Sequence, residues 1–371
     1  MRELTDAQRE AIAHVERLAL ARRAEAWAEI RASLRAAGVS EADFLEAMQH
    51  LRGAVTVALA FHPERTSRGG RSVAHGLLAD GMYRNQFETG LSSGSVSAFA
   101  GGERDGWERR LFGGAYHGPV VAAADRPKYG ALFLVAHPEG PAPRFGSCCF
   151  VLRPEVSARC TFTFLGSQED RALGRVGTLQ VPEPVLAALL RHVEEDPAPL
   201  GVGGLTVGGL VAAMRENVPC ALPGVSPERS GRALDSFVEA QVHGPVELGR
   251  DVERLVADSA FRGTPTADAL GGIASRYGIA LDWHPGFALP AAEVPETFRG
   301  FPTRRLAERV APGGTVDAPR IGAAHDDFVR NPEAWRSFGT PSEIRTCFRR
   351  LWHVLVLFGR RAQPPTESSG G

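Results

Sequence analysis

The segment Phe237-Val-Glu-Ala-Gln-Val-His-Gly244 alternates without a break. Val238, Ala240 and Val242 fall on one side, and Glu239, Gln241 and His243 on the other. A period of two is the mark of a β-strand with one face in a core. The opposite face carries an acid, an amide and an imidazole in a row, where an ordinary exposed face would carry Lys, Arg, Thr or Ser. A strand that lines a cleft with such residues is a candidate reaction surface, and it makes Glu239 and Gln241 the first candidates for chemistry, with His243 beside them.

A second polar run is Tyr83-Arg-Asn-Gln-Phe-Glu-Thr-Gly-Leu-Ser-Ser-Gly-Ser95. It fits neither an amphipathic helix nor a strand, and Gly90 and Gly94 permit backbone conformations other residues avoid. It is expected to be a structured loop that turns Arg84, Gln86, Glu88, Thr89 and Ser92 toward a polar object. The chain has a single lysine, Lys128, among 42 basic residues. It sits beside Tyr129 in Asp125-Arg-Pro-Lys-Tyr-Gly130, and its retention against so strong an arginine bias suggests a need for an ammonium there.

Strands mixed with helices, without regular βαβ alternation, predict an α+β fold. Residues 1–53 read as an N-terminal helical segment, opened by a Thr5–Gln8 capping box and restarted at Ser40. Residues 54–250 form the core that carries the site. It begins with a buried strand, Ala54 to Phe61, ending at His62-Pro63, and further strands are expected at Tyr129–Ala136, Gly146–Leu152 and Cys160–Phe164. The Gly/Pro-rich stretch 194–209 reads as a surface connection, and Ser226-Pro227 as a helix start. Residues 251–360 read as mainly helical, anchored by Trp283, Trp335 and Trp352, and 361–371 as a disordered tail.

Composition narrows the function classes. A net charge of −1 gives no bulk attraction to nucleic acid or to an anionic membrane. No apolar run approaches the ~20 residues of a membrane span, and the N-terminus lacks the apolar region of a signal peptide, so a cytoplasmic protein is expected. The five cysteines show no metal spacing and, being odd in number, no disulfide framework. Gly90-Leu-Ser-Ser-Gly94 matches G-x-S-x-G but lacks the preceding apolar strand of a nucleophile elbow. Gly201–Gly209 lacks a preceding strand, so it is no dinucleotide fingerprint. Neither a phosphate-binding loop with lysine nor an H-E-x-x-H zinc motif occurs, and no metal is expected.

Phe61-His-Pro-Glu-Arg65, Tyr83–Gly94, Leu111-Phe-Gly-Gly-Ala-Tyr116, Arg126-Pro-Lys-Tyr-Gly-Ala-Leu132, Arg144-Phe-Gly-Ser147 and Glu239-Ala-Gln-Val-His-Gly-Pro-Val246 together resemble a bacterial family known only as a domain of unknown function. That resemblance spans roughly Leu4 to Gly359 and brings no activity. The order of parts also resembles the ADP-ribosyltransferases, with a split β-sheet core flanked here by N- and C-terminal helical segments. It departs from them at Leu165-Gly-Ser-Gln168, where an acidic Gly-Asp-Ser would be expected.

This second resemblance implies that NAD is the substrate. Glu239 would be the catalytic carboxylate, and Gln241 would orient the acceptor. His62 would bind the ribose or adenosine portion, and Arg84 or Lys128 the pyrophosphate. Thr89, Ser92 or Tyr129 would brace the nicotinamide, with Gln86, Glu88 and His243 nearby. The partners implied are a small nucleotide and a macromolecular acceptor of unknown identity. The alternative is a non-catalytic nucleotide- or peptide-binding module. A metal-dependent hydrolase using His62, Glu88, Glu239 and His243 is a third reading. A plain structural reading also stands: Glu239 pairs with Arg84, His62 caps a strand end, Lys128 is a surface accident, Ser92 and Ser93 only satisfy turn backbone groups, and Tyr129 is core. Convergence of Glu239, His62 and the Tyr83–Ser95 loop on one cleft would separate the first reading from the second.

Overall fold

The structure is a computed structural model that describes residues 3–66, 70–91, 97–167, 170–215 and 234–360. It is α+β, with one large mixed sheet flanked by helices. The N-terminal pair is α1 (Asp6–Ala37) and α2 (Glu41–Ala54). The expected box caps α1, with Thr5 and Gln8 bonding reciprocally, and the Ser40 side chain caps α2. The chain then enters β1 (Val57–Phe61) and passes through α3 (Val73–Asp80), β2 (Met82–Tyr83), α4 (Gln86–Thr89) and α5 (Glu103–Leu111). Next come β3 (Lys128–Leu132), β4 (Cys148–Leu152), β5 (Cys160–Phe164), β6 (Val176–Thr178), α6 (Glu183–Glu195) and α7 (Val207–Arg215). After the undescribed stretch follow β7 (Val238–Val242), β8 (Val246–Glu247), α8 (Leu248–Asp251), β9 (Val252–Asp258), α9 (Pro265–Tyr277) and β10 (Ala280–His284). The chain closes with β11 (Leu289–Pro290), α10 (Thr303–Val310), β12 (Thr315–Val316), α11 (Ala318–Arg330) and α12 (Pro341–Phe358).

Eight strands hydrogen-bond in the order β10-β9-β4-β1-β3-β7-β5-β6. Neighbours are antiparallel except β9 and β10, which run parallel across the helical crossover α9. The segment after residue 251, expected to be mainly helical, therefore supplies two of the eight strands. Short ladders join β2 to β8 and β11 to β12. The β2–β8 ladder ties the start of the polar run to the exit of the Glu239 strand.

The alternation of β7 does what a period of two requires. Val238, Ala240 and Val242 enter the main core with Val57, Leu59, Phe61, Phe150, Phe162 and Leu255, each large apolar side chain contributing roughly 1.5–3 kcal/mol on burial. The opposite face is thinner and carries Ala58, Cys149, Val151 and Val256 beside the polar row. Several local expectations shift. The strand expected over 129–136 is Lys128–Leu132, because the chain leaves the sheet and folds back over it as far as Gly140. That glycine has φ +88°, and a Cβ there would come within 2.7 Å of Cys149 Sγ. The stretch 194–209 is not a simple surface connection: Leu200, Val202 and Leu205 are buried and α7 begins at Val207. The Ser226-Pro227 helix start and the tail at 361–371 lie outside the described residues. Trp335 and Trp352 are buried anchors, and Trp283 is partly buried.

Candidate functional site

Glu239, Gln241 and His243 share the thin face of the sheet with their register partners Ala131 and Tyr129 on β3 and Thr163 and Thr161 on β5. All three are buried, so the polar row faces the inside of the molecule. It forms one directional chain. Ser167 N–H donates to Glu239 Oε1 at 3.2 Å, and Gln241 Nε2 donates to the same oxygen at 2.9 Å. Gln241 Nε2 also donates to Thr163 Oγ1 at 2.7 Å, and Gln241 Oε1 accepts from Thr161 Oγ1 at 2.8 Å. The Thr161 hydroxyl has then spent its proton, so at 3.1 Å it accepts from His243 Nε2–H. His243 Nδ1 is left as the acceptor for the Tyr116 hydroxyl at 2.6 Å. Burial, followed by Arg159 and Lys128, pushes His243 down to about 3, so the imidazole is neutral.

Glu239 Oε1 thus takes two donors, and any proton on this carboxyl belongs on the other oxygen. Burial raises the Glu239 pKa, opposed by Ser167, by Arg104 and by the Gln241 amide. Glu239 lines a cavity of about 110 Å³ floored by the small residues Ala58, Ala60, Gly130 and Ala131. Tyr129 and Arg104 form one wall, the Arg104 guanidinium lying 4.6 Å from the centre of the Tyr129 ring. The Tyr129 hydroxyl donates to Glu108 Oε1 at 3.0 Å. Glu108 and Asp105 are both gripped by Arg126, at 2.8 and 2.6 Å, in a buried ion network that fixes α5 against β3.

A second cavity of about 520 Å³ adjoins the first, and the two share Ala60, Tyr83, Arg84, Gln86 and Phe145. It is lined further by His62, Arg65, Arg71, Glu88 and Thr89. The polar run that builds this wall is not a loop throughout. Asn85 caps α4, its side chain accepting from Phe87 N–H and Glu88 N–H and donating to the Ala123 and Arg126 carbonyls. Glu88 returns the cap by accepting from Asn85 N–H at 2.9 Å, and the Thr89 hydroxyl donates to Asn85 O at 3.0 Å. His62 closes β1, packs edge-on against Trp352, and holds Nδ1 3.4 Å from Glu64 Oε1. Its Nε2 has no hydrogen-bond partner among the described residues. Burial, then Arg65, lowers its pKa, so it reaches the cavity as a neutral imidazole.

Of the residues expected at a site, Glu239, Lys128, Tyr129, Arg84 and Gln86 line the smaller cavity, and His62, Arg84, Gln86, Glu88 and Thr89 line the larger. Arg84 pairs with Asp80, not with Glu239. Lys128 commits its ammonium to the carbonyls of Ala124, Arg126 and Gly244 at 3.2, 3.4 and 3.2 Å, and burial lowers its pKa to about 8. Gln241 and His243 line neither cavity; they stand behind Glu239 and hold it. Ser92 lies outside the described residues. Among the described residues no group of three or more His, Cys, Asp or Glu is placed to hold a metal ion, and His62, Glu88, Glu239 and His243 do not gather. No described helix is long and apolar enough to cross a membrane.

Sequence reading missed Arg104 and Glu139, which line the smaller cavity, and Ser167, whose N–H holds Glu239. Arg104 lies in a charge-dense helix where an arginine resembles solvated surface, and Glu139 and Ser167 reach the site only through chain reversals. No local periodicity marks any of them.

The model of a family described as proteins of unknown function, DUF3626, matches residues 56–358. The chain belongs to that family. The matched span contains every strand of the sheet and both cavities, and it leaves α1 and α2 outside. None of the curated proteins compared matches the chain.

Proposed function

We propose that this member of the DUF3626 family binds NAD across the two adjoining cavities and cleaves its nicotinamide–ribose bond, passing ADP-ribose to a macromolecular acceptor or to water. The observation that carries the reading is the joint geometry. Glu239, pinned through one oxygen, faces a small chamber that opens beside a larger one walled by Arg65, Arg71 and Arg84. A space of order 150 Å³ holds one small ring, and a chamber of several hundred holds a nucleotide-sized group. NAD has that bipartite shape, with a diphosphate where arginines are wanted. The fold reading that goes with it is ADP-ribosyltransferase-like, supported by the order His62, Tyr129, Glu239 along β1, β3 and β7.

In this reaction the N-glycosidic bond breaks and its electron pair leaves with nicotinamide, which departs neutral. The ribosyl carbon becomes cationic, and the free oxygen of Glu239 stabilises that charge more in the transition state than in the ground state. The acceptor then donates a lone pair to the carbon and gives up its proton to the carboxylate or to solvent. Tyr129, already held by Glu108, offers its ring to nicotinamide, and Arg104 opposes the upward shift that burial gives the Glu239 pKa. Gln241 acts as a positioning residue, since both of its amide hydrogens and its oxygen are spent inside the chain.

The test is nicotinamide release from NAD by the purified chain, with Glu239→Gln alongside. The expected loss is on the order of 10²–10³ in rate, the effect of removing one electrostatic stabiliser. Release that persists in the variant refutes the assignment of Glu239. If neither release nor a rise in melting temperature with NAD is seen, the binding-module reading takes its place.

A further inference from the structure

Outside both cavities, Arg144 and Arg299 share the Asp235 carboxylate, with Arg349 and Arg350 as their charged neighbours. Trp352 Nε1 donates to Pro143 O at 2.8 Å and so seats α12 against the turn that carries Arg144. Close to Trp352 on the same helix are Arg349 and Arg350, the latter with its guanidinium 5.9 Å from the Phe301 ring. Arg299 arrives from the neighbouring hairpin. Arg144 and Arg299 both pair with Asp235, which itself is about half exposed. Among the described residues neither Arg349 nor Arg350 has a carboxylate or hydrogen-bond partner, and the Nε atoms of Arg144, Arg349 and Arg350 are buried without an acceptor. Burial and the neighbouring guanidinium groups lower the pKa of all three. His353 beneath them is pushed down to about 2 by burial and the same four arginines, so it is neutral and adds no charge.

The backbone of Arg299 is a second, independent observation. Phe298 and Phe301 exchange both backbone hydrogen bonds, 2.9 and 3.1 Å, across the two-residue turn Arg299-Gly300. Both central residues have positive φ, +51° and +81°. That turn favours Asn or Gly at its first position, and an arginine there stores backbone strain. Strain of this kind is kept where the side chain has work to do, and this side chain points into the cluster.

We infer that Arg144, Arg299, Arg349 and Arg350 form a second binding site, separate from the two cavities, for the diphosphate of a small molecule. Four guanidinium groups against one carboxylate leave an excess of positive charge, and guanidinium forks match phosphate oxygens two at a time. Arg144 also lies 5.2 Å from the Phe145 ring and 5.9 Å from the Phe237 ring. Phe145 walls both cavities and Phe237 directly precedes β7, so an anion bound here sits one side chain from the candidate active site. The inference does not depend on NAD being the substrate.

The probe is inorganic pyrophosphate, titrated calorimetrically into the full chain at low salt, with ADP and NAD in parallel arms to separate a free diphosphate from a nucleotide. Pyrophosphate is expected to bind saturably and more weakly as chloride rises. Arg349→Gln with Arg350→Gln is expected to weaken it at least tenfold, while Glu239→Gln leaves it unchanged. Arg299→Asn supplies the control for folding: Asn suits the left-handed turn, so this variant keeps or raises the melting temperature while binding pyrophosphate at least tenfold less tightly. No saturable binding by the wild-type chain, or binding untouched by both arginine variants, overturns the site.

Discussion

Gln241→Glu tests the buried chain at its most sensitive joint. The substitution replaces Nε2, which now donates to Glu239 Oε1 at 2.9 Å and to Thr163 Oγ1 at 2.7 Å, by an acceptor oxygen in the same place. Two ionised carboxylates at that separation repel by about 6 kcal/mol at an effective dielectric constant of ~20. Keeping a proton on one carboxyl at pH 7 costs only about 3.7 kcal/mol, taking an ordinary Glu pKa near 4.3 and about 1.36 kcal/mol per pH unit. Protonation is the cheaper outcome, so the folded variant holds one more proton than its unfolded chain across the neutral range. The sign follows directly. A carboxyl raised in the folded state gives stability that is present at low pH and lost as pH rises. Relative to wild type, Gln241→Glu should be nearly neutral at pH 5, where the shared proton restores the hydrogen bond. It should lose about 1.4 kcal/mol per pH unit above that, reaching about 2.8 kcal/mol at pH 7. Urea unfolding at pH 5, 6, 7 and 8, with m-values compared, measures this. A deficit independent of pH would mean that Glu239 and the new carboxyl do not face each other, and the buried chain as described would be wrong.

Arg104→Ala removes the cation that opposes the burial of Glu239, so the acid limb of nicotinamide release should move to higher pH in a profile of kcat/KM; an unmoved limb refutes the contact. Asn85→Ala deletes the α4 cap and the two hydrogen bonds its side-chain amide gives the Ala123 and Arg126 carbonyls. It should cost about 2–4 kcal/mol by denaturant unfolding and speed amide exchange over 86–90. Glu239→Gln removes a charge whose pKa burial has raised. It should therefore melt higher than wild type at pH 8, with the difference closing as pH falls; a variant less stable at every pH would contradict the sign of that shift.

The sequence by itself determined the strand at Val238–Val242, its two-faced character, the capped N-terminal helices and the wall at 84–89, because each depends on side chains within a few residues of one another. The alternation placed Glu239, Gln241 and His243 on one face, and the structure keeps them there. Sequence could not say that this face is closed. Only β5 and the turn that follows α5, arriving from more than seventy residues away, bring Thr161, Thr163 and Tyr116 onto it and turn Gln241 and His243 from candidate ligand contacts into supports for Glu239. Lys128 shows the same division. Its singularity is legible in the composition, but whether its ammonium meets a phosphate or three carbonyls is decided by the turn at Ala124–Arg126 and by Gly244 closing over it. Hydrogen-bond directions, cavity walls and the gathering of Arg144, Arg299, Arg349 and Arg350 are long-range facts. They follow from which strands and helices pack together, and no local period in the chain encodes them.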